Sequence, residues 1–191
     1  PTASAAAAAP EEQEGEEEEE EGGAFSWCSV LDAEDGYWQL EVRGVSAAGR
    51  RLDFCADGGC RAIVDTGTSL LGVPGELGAE LTELLRHPAG ADGCGGGPGP
   101  RLQVDLGNFT VDLGPAELSR PEVEAETEGG AGGRPGCVPM LMHIDLPARR
   151  GARTLILGEP VLQRYYTAFH AEGPRVGFAA ARHAAPHRPH A

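Results

Sequence analysis

The sequence predicts a mainly β fold with one or two short helices, and three observations carry that expectation. Short apolar-polar alternations recur from Trp27 onward, Gly, Pro and Asp punctuate them closely, and only one stretch keeps sustained helical spacing. At 191 residues, 40% of them hydrophobic, the chain is long enough to bury a core.

Taken in order, Tyr37-Trp38-Gln39-Leu40-Glu41-Val42 alternates apolar and polar side chains, and Arg51-Leu52-Asp53-Phe54 does so again beyond a turn at Gly49. Both read as strands of a half-buried antiparallel sheet. Arg61-Ala62-Ile63-Val64 is a denser apolar run, as in a strand covered on both faces, and it delivers Asp65 to a turn. Leu77, Leu81, Leu84 and Leu85 fall at i, i+4, i+7 and i+8 behind Pro74, which predicts a helix over 75–86. Residues 87–100, rich in Gly and Pro, read as a loop. Leu102–Leu106 and Phe109–Leu113 alternate about Gly107-Asn108, a hairpin signature. Residues 122–136 turn acidic and then Gly-rich, as a solvated loop does. Strands are expected at Val138–Leu146, Thr154–Leu157, Tyr165–Phe169 and Arg175–Ala179, with a helical turn at Glu159–Arg164. No internal repeat is present.

The net charge of −15 is concentrated at one end, because nine of the thirty acidic residues lie in the first 24 positions, which hold no base. Such a segment, with poly-Ala ahead of its Glu run, buries too little apolar surface to offset its ordering entropy, so 1–24 is expected to be a disordered tail or linker. The His- and Pro-rich 182–191 reads the same way, leaving 25–181 as the folded unit. Lys is absent and the Arg residues are scattered without interleaved aromatics, which argues against nucleic acid as a partner. No apolar run reaches the roughly 18 residues needed to span a bilayer. The N-terminus lacks a signal peptide's basic start and apolar stretch, which fits a fragment or a sequence whose start is missing as well as it fits a cytosolic protein.

Cysteine usage points to an oxidising compartment. Cys55 and Cys60 bracket a short Ala-Asp-Gly-Gly turn, Cys94 and Cys137 sit beside Gly-rich segments able to approach one another, and Cys28 is left over. A zinc site is the competing reading for four Cys, but the spacing offers no C-x-x-C knuckle, so no metal is expected. Asn108-Phe109-Thr110 is an N-glycosylation acceptor and agrees with secretion.

The chemistry concentrates at Asp65. An apolar strand ends there in a carboxylate, followed by Thr66, Gly67, Thr68, Ser69 and Leu70-Leu71. Gly67 lets the backbone turn and approach a ligand without a Cβ, and the three hydroxyls are able to bond the backbone and the carboxylate oxygens. Such bonds would fix the orientation of Asp65, and a carboxylate at a strand end serves as a surface charge, a helix cap or a catalytic group, the short Asp-Thr-Gly string alone favouring the structural roles.

Residues 62–71 resemble the second active-site loop of pepsin-like aspartic proteases, and the surroundings resemble the C-terminal lobe of that bilobal family over roughly 25–181. Tyr37-Trp38-Gln39-Leu40 is similar to the strand that opens that lobe, Cys55–Cys60 to its small disulfide loop, and Cys94–Cys137 to its second bridge. Thr154-Leu155-Ile156-Leu157-Gly158, with Gln163–Phe169 and Arg175–Ala179, resembles its C-terminal signature, whose apolar-apolar-Gly element crosses behind the catalytic loop. Two positions depart from the pattern: Glu159 stands where the family usually has Asp, and the Cys55–Cys60 loop is one residue longer than the common form.

The resemblance implies an aspartic endopeptidase that acts on polypeptides without metal or organic cofactor. Asp65 would be one of two catalytic aspartates, Thr66 would lock two loops together, and Gly67 and Thr68 would meet the substrate backbone, supported by Ser69. No first Asp-Thr-Gly and no flap Tyr precede Trp27, so the partner is expected to be an N-terminal lobe outside this sequence, and the fragment alone is expected to be inactive. A homodimer sharing Asp65 across a two-fold axis and a non-catalytic peptide-binding lobe are the alternatives. The expected location is the secretory pathway, lysosomal, vacuolar or extracellular.

Overall fold

A computed structural model describes residues 24–122, 136–146 and 153–181 of the chain. The expected tails at 1–24 (Ala24 apart) and 182–191 lie outside the described residues, as does most of the expected loop at 122–136. Before the Asp65 turn come β1 (Ser26–Ser29), β2 (Gln39–Val42), β3 (Gly44–Ala47), β4 (Arg50–Arg51) and β5 (Cys60–Val64). After it come β6 (Leu71–Pro74), α1 (Gly75–Leu85), β7 (His87–Pro88), β8 (Leu102–Asp105), β9 (Thr110–Leu113), α2 (Pro115–Leu118) and β10 (Ser119–Pro121). The described chain closes with β11 (Gly136–Pro139), β12 (Leu141–Ile144), β13 (Thr154–Leu157), α3 (Glu159–Arg164), β14 (Tyr165–His170) and β15 (Arg175–Ala180).

The fold is mainly β, as the sequence predicts. A five-stranded sheet in the order β12-β6-β13-β5-β2 carries the Asp65 turn. At its centre β13 lies between β5 and β6, parallel to the first (Leu157 opposite Val64) and antiparallel to the second (Leu157 opposite Leu71). A four-stranded sheet, β4-β3-β8-β9, and two three-stranded ones, β1-β15-β14 and β10-β11-β7, surround it. Leu40, Ala62, Leu71, Leu155 and Leu157 of the central sheet are fully buried, and α1 turns Leu77, Leu81 and Leu85 into the same core. Each of these leucine side chains contributes about 1.5–3 kcal/mol by leaving water. Phe109 stacks on Phe178 with ring centroids 4.9 Å apart. The Tyr165 hydroxyl accepts from Asp112 N at 3.0 Å and donates to Asp112 O at 3.1 Å, tying β14 to β9.

Several elements differ from the sequence expectation for identifiable reasons. The strand expected at 51–54 is confined to Arg50–Arg51, and Asp53–Cys55 forms a single 3-10 turn. That turn swings Cys55 back to Cys60, with Cα atoms 5.5 Å apart. The strand that pairs instead is Gly44–Ala47, antiparallel to β8. The run 138–146 is two strands rather than one. It breaks at Met140, whose N–H bonds Leu118 O at 2.7 Å, and the chain leaves the β10-β11-β7 sheet to join β6 in parallel. The loop at 87–100 contains a short pairing of His87–Pro88 with β11 and a single bridge between Gly90 and Gly93. Pro115–Leu118 adds a helical turn beyond the one or two expected, held where Gly114 N–H donates to the Glu117 carboxylate at 2.9 Å.

Candidate active site

Local forces fix the Asp65 turn before its side chain is considered. Val64 N donates to Trp38 O at 3.0 Å on one side, and Asp65 N donates to Leu157 O at 3.1 Å on the other, so the last residues of β5 are paired by both neighbours. On leaving the turn, Leu71 N reaches Met140 O at 3.4 Å. Between these anchors the chain passes over Gly158, and Glu159 N donates to Thr68 O at 2.8 Å. A Cβ on Gly158 would lie 2.2 Å from Thr68 O and 2.4 Å from Leu70 O, both backbone atoms. Its φ of −94° is one any residue adopts, so glycine is required there by the close approach alone.

Two donors hold the carboxylate. The Thr68 hydroxyl donates to Asp65 Oδ2 at 2.6 Å, and Gly67 N–H donates to Oδ1 at 2.9 Å. Together they keep the Asp65 carboxyl below the usual carboxylate range, the Thr68 bond contributing most and Gly67 next, against a smaller opposing effect of burial. Asp65 is half-buried, whereas Thr66, Gly67 and Ser69 are exposed. Among the described residues, the hydroxyls of Thr66 and Ser69 make no bond to the carboxylate, so the orienting work falls on Thr68 and the backbone. Each carboxylate oxygen retains acceptor capacity, which equips Asp65 to take a proton from water or to share one with a second carboxyl.

A groove of about 210 Å³ opens beside Trp38, the residue whose carbonyl anchors Val64, and is lined by Tyr37, Val30 and Pro174 among others. A larger recess, about 700 Å³, lies at the opposite ends of β5 and β13, where Arg153 bonds both carboxylate oxygens of Asp57. That end is remote from the Asp65 turn, since Thr154 pairs Arg61 there and Leu157 pairs Val64 at the other. Among the described residues no group of three or more His, Cys, Asp or Glu is disposed to hold a metal ion, and no helix is long and apolar enough to cross a membrane.

The remaining sequence candidates are separate from the turn. Disulfides join Cys55 to Cys60 and Cys94 to Cys137, and Cys28 is a buried free thiol, its pKa pushed up by that burial. Asn108 sits exposed at the tip between β8 and β9. Sequence reasoning did not single out the carbonyls of Trp38, Leu157 and Met140, which aim the turn. Backbone acceptors carry no residue signature.

Comparison with known proteins places these features in a family. The family model for eukaryotic aspartyl proteases matches residues 15–181. Cathepsin D of Clupea harengus is 36% identical over 150 residues, covering 75% of this chain and 35% of that protein. Gastricsin of Mus musculus is 29% identical over 163 residues, 82% of this chain and 38% of its own. Renin of Echis ocellatus is 30% identical over 159 residues, 78% of this chain and 36% of its own. The chain thus spans little more than a third of the length of these relatives.

Proposed function

Because the chain belongs to the eukaryotic aspartyl protease family, we propose that it is the C-terminal lobe of an aspartic endopeptidase in which Asp65 is one of the two catalytic carboxylates. The observation that carries this reading is the double anchoring of the Asp65 carboxylate by Thr68 Oγ1 and Gly67 N at the end of a strand paired on both sides. In this family two aspartates roughly 3 Å apart share a single proton, because both cannot ionise at that distance. One carboxylate removes a proton from water as the water attacks the scissile carbonyl, and the other, protonated, polarises the carbonyl oxygen. The two roles belong to the pair rather than to either residue.

The second carboxylate comes from an N-terminal lobe outside these 191 residues, and the substrate is a polypeptide bound between the lobes. Within the turn, Gly67 and Thr68 meet the substrate backbone, Thr66 contacts the facing loop, and Ser69 supports the exit to β6. The folded unit is the lobe at 25–181. Two disulfides fit an oxidising compartment, so the protein acts in the secretory pathway or in the lysosomal, vacuolar or extracellular space it feeds.

The test is D65N in the full-length protein, assayed for hydrolysis of apolar-flanked peptides at acid pH. The expected loss in kcat/KM is about 10⁴-fold, the scale seen when an essential member of a catalytic unit is removed. Wild-type rates in D65N would end the catalytic assignment.

A further inference from the structure

We infer that Asn108 is an N-glycosylation site that presents its glycan on the β8–β9 hairpin, on a different sheet from the Asp65 turn. The inference rests on the secretory part of the reading above, and its readout is independent of peptide hydrolysis. Asn108 is the only asparagine in the chain, and it falls in Asn-Phe-Thr.

The fold places this tripeptide where a transferase acting on a carboxamide needs it. Asn108 and Thr110 are exposed on either side of Phe109, whose ring is packed against Phe178 and Tyr165. The tip is sharply turned. Gly107 has φ +83°, its N–H donates to Asp105 Oδ1 at 2.8 Å, and Leu106 N bonds Phe109 O at 2.8 Å. Phe109 therefore anchors the tip from beneath while the acceptor and hydroxyl residues stay at the surface. Thr110 opens β9 opposite Asp105, so its position relative to Asn108 is set by strand register.

One contact refines the inference. Asn108 Nδ2 donates to Trp27 O, at 3.1 Å, linking the hairpin tip to β1. Transfer from a lipid-linked pyrophosphate oligosaccharide forms a bond between Nδ2 and the sugar's anomeric carbon, breaks that carbon's bond to the pyrophosphate, and releases one amide proton. A single N–H then remains on Nδ2, enough to keep the Trp27 contact. Transfer therefore does not by itself remove the donor that links the exposed tip to β1.

The experiment expresses the full-length protein through a eukaryotic secretory pathway and reads gel mobility before and after amidase deglycosylation, with peptide mass spectrometry of residue 108. Wild type and T110S are expected to carry a glycan at 108, with the amidase leaving Asp there. N108Q and T110V are expected to migrate one glycan faster than wild type. T110V keeps the Asn108–Trp27 contact, so a mobility change in both variants cannot arise from losing that bond. Unmodified Asn108 in secreted protein whose two disulfides have formed would overturn the inference while leaving the Asp65 assignment untouched.

Discussion

Gly158→Ala is the smallest change that tests how the Asp65 turn is held. The added methyl would fall 2.2 Å from Thr68 O and 2.4 Å from Leu70 O. Ordinary carbon–oxygen contact is more than an ångström longer, and neither oxygen belongs to a side chain that can rotate away. The turn and β13 must therefore separate. The bonds at risk are Glu159 N to Thr68 O at 2.8 Å and Asp65 N to Leu157 O at 3.1 Å. Each is worth about 0.5–1.5 kcal/mol net, and overpacking a close-packed site costs about 1–3 kcal/mol more. The expected destabilisation is about 2–6 kcal/mol, a large share of the roughly 5–15 kcal/mol that holds a domain folded. Urea unfolding of the 191-residue chain, followed by tryptophan fluorescence, measures it. Gly58→Ala is the control: that glycine has φ +76° and nothing within 4 Å of where the methyl would lie, so its cost is the conformational one of about 1–2 kcal/mol. If Gly158→Ala destabilised no more than Gly58→Ala, the account of a turn clamped on a backbone crossing would be wrong.

Two further results are expected. Thr68→Val removes the larger of the two bonds that lower the Asp65 pKa, so carboxyl-carbon NMR should show Asp65 titrating higher than in wild type, whereas Thr68→Ser should stay near it. Because the native carboxyl titrates below its unfolded value, its stabilisation is present above the unfolded pKa and lost as pH falls through the native one. The stability gap between the two variants should therefore close in strong acid, and a gap that widened there would contradict the assignment. For the disulfides, chain entropy scales with loop length. The Cys94–Cys137 bridge, at sequence separation 43, should stabilise by about 4 kcal/mol, and Cys55–Cys60, at separation 5, by about 2. Double Cys→Ser variants compared by urea midpoint check the order, and a reversed order would show that the native-state role of the short loop outweighs unfolded-state entropy.

Elements whose signal is local were legible in the sequence. The α1 leucines, the alternation about Gly107-Asn108 and the apolar run into Asp65 each encode their structure within a dozen residues, and each is present. Several elements defined by distant partners were not. Gly44–Ala47 is a strand because Leu102–Asp105 lies beside it, and Leu71–Pro74 is one because β13 and β12 flank it. Residues 138–146 look continuous, yet the backbone of Met140 is claimed by Leu118 and Leu71, and the two halves serve different sheets. At the candidate site, Asp65, Gly67 and Thr68 were readable from a strand that ends in a hydroxyl-rich turn. Which hydroxyl would face the carboxylate was not, since Thr66 and Ser69 differ from Thr68 only in the direction the backbone gives them.

The position of β13 also sets an order of events in time. The strand that completes the Asp65 turn is made long after the turn itself, so a chain emerging from the ribosome carries β5, the turn and β6 with a gap where β13 will lie. Closing that gap needs contacts of high sequence separation, which form slowly. Until then two strand edges and the apolar faces of Ala62, Val64 and Leu71 stand open to other chains. Exposure to mispairing during synthesis, and sensitivity to any truncation before residue 158, therefore follow from the same crossing that later aims the carboxylate.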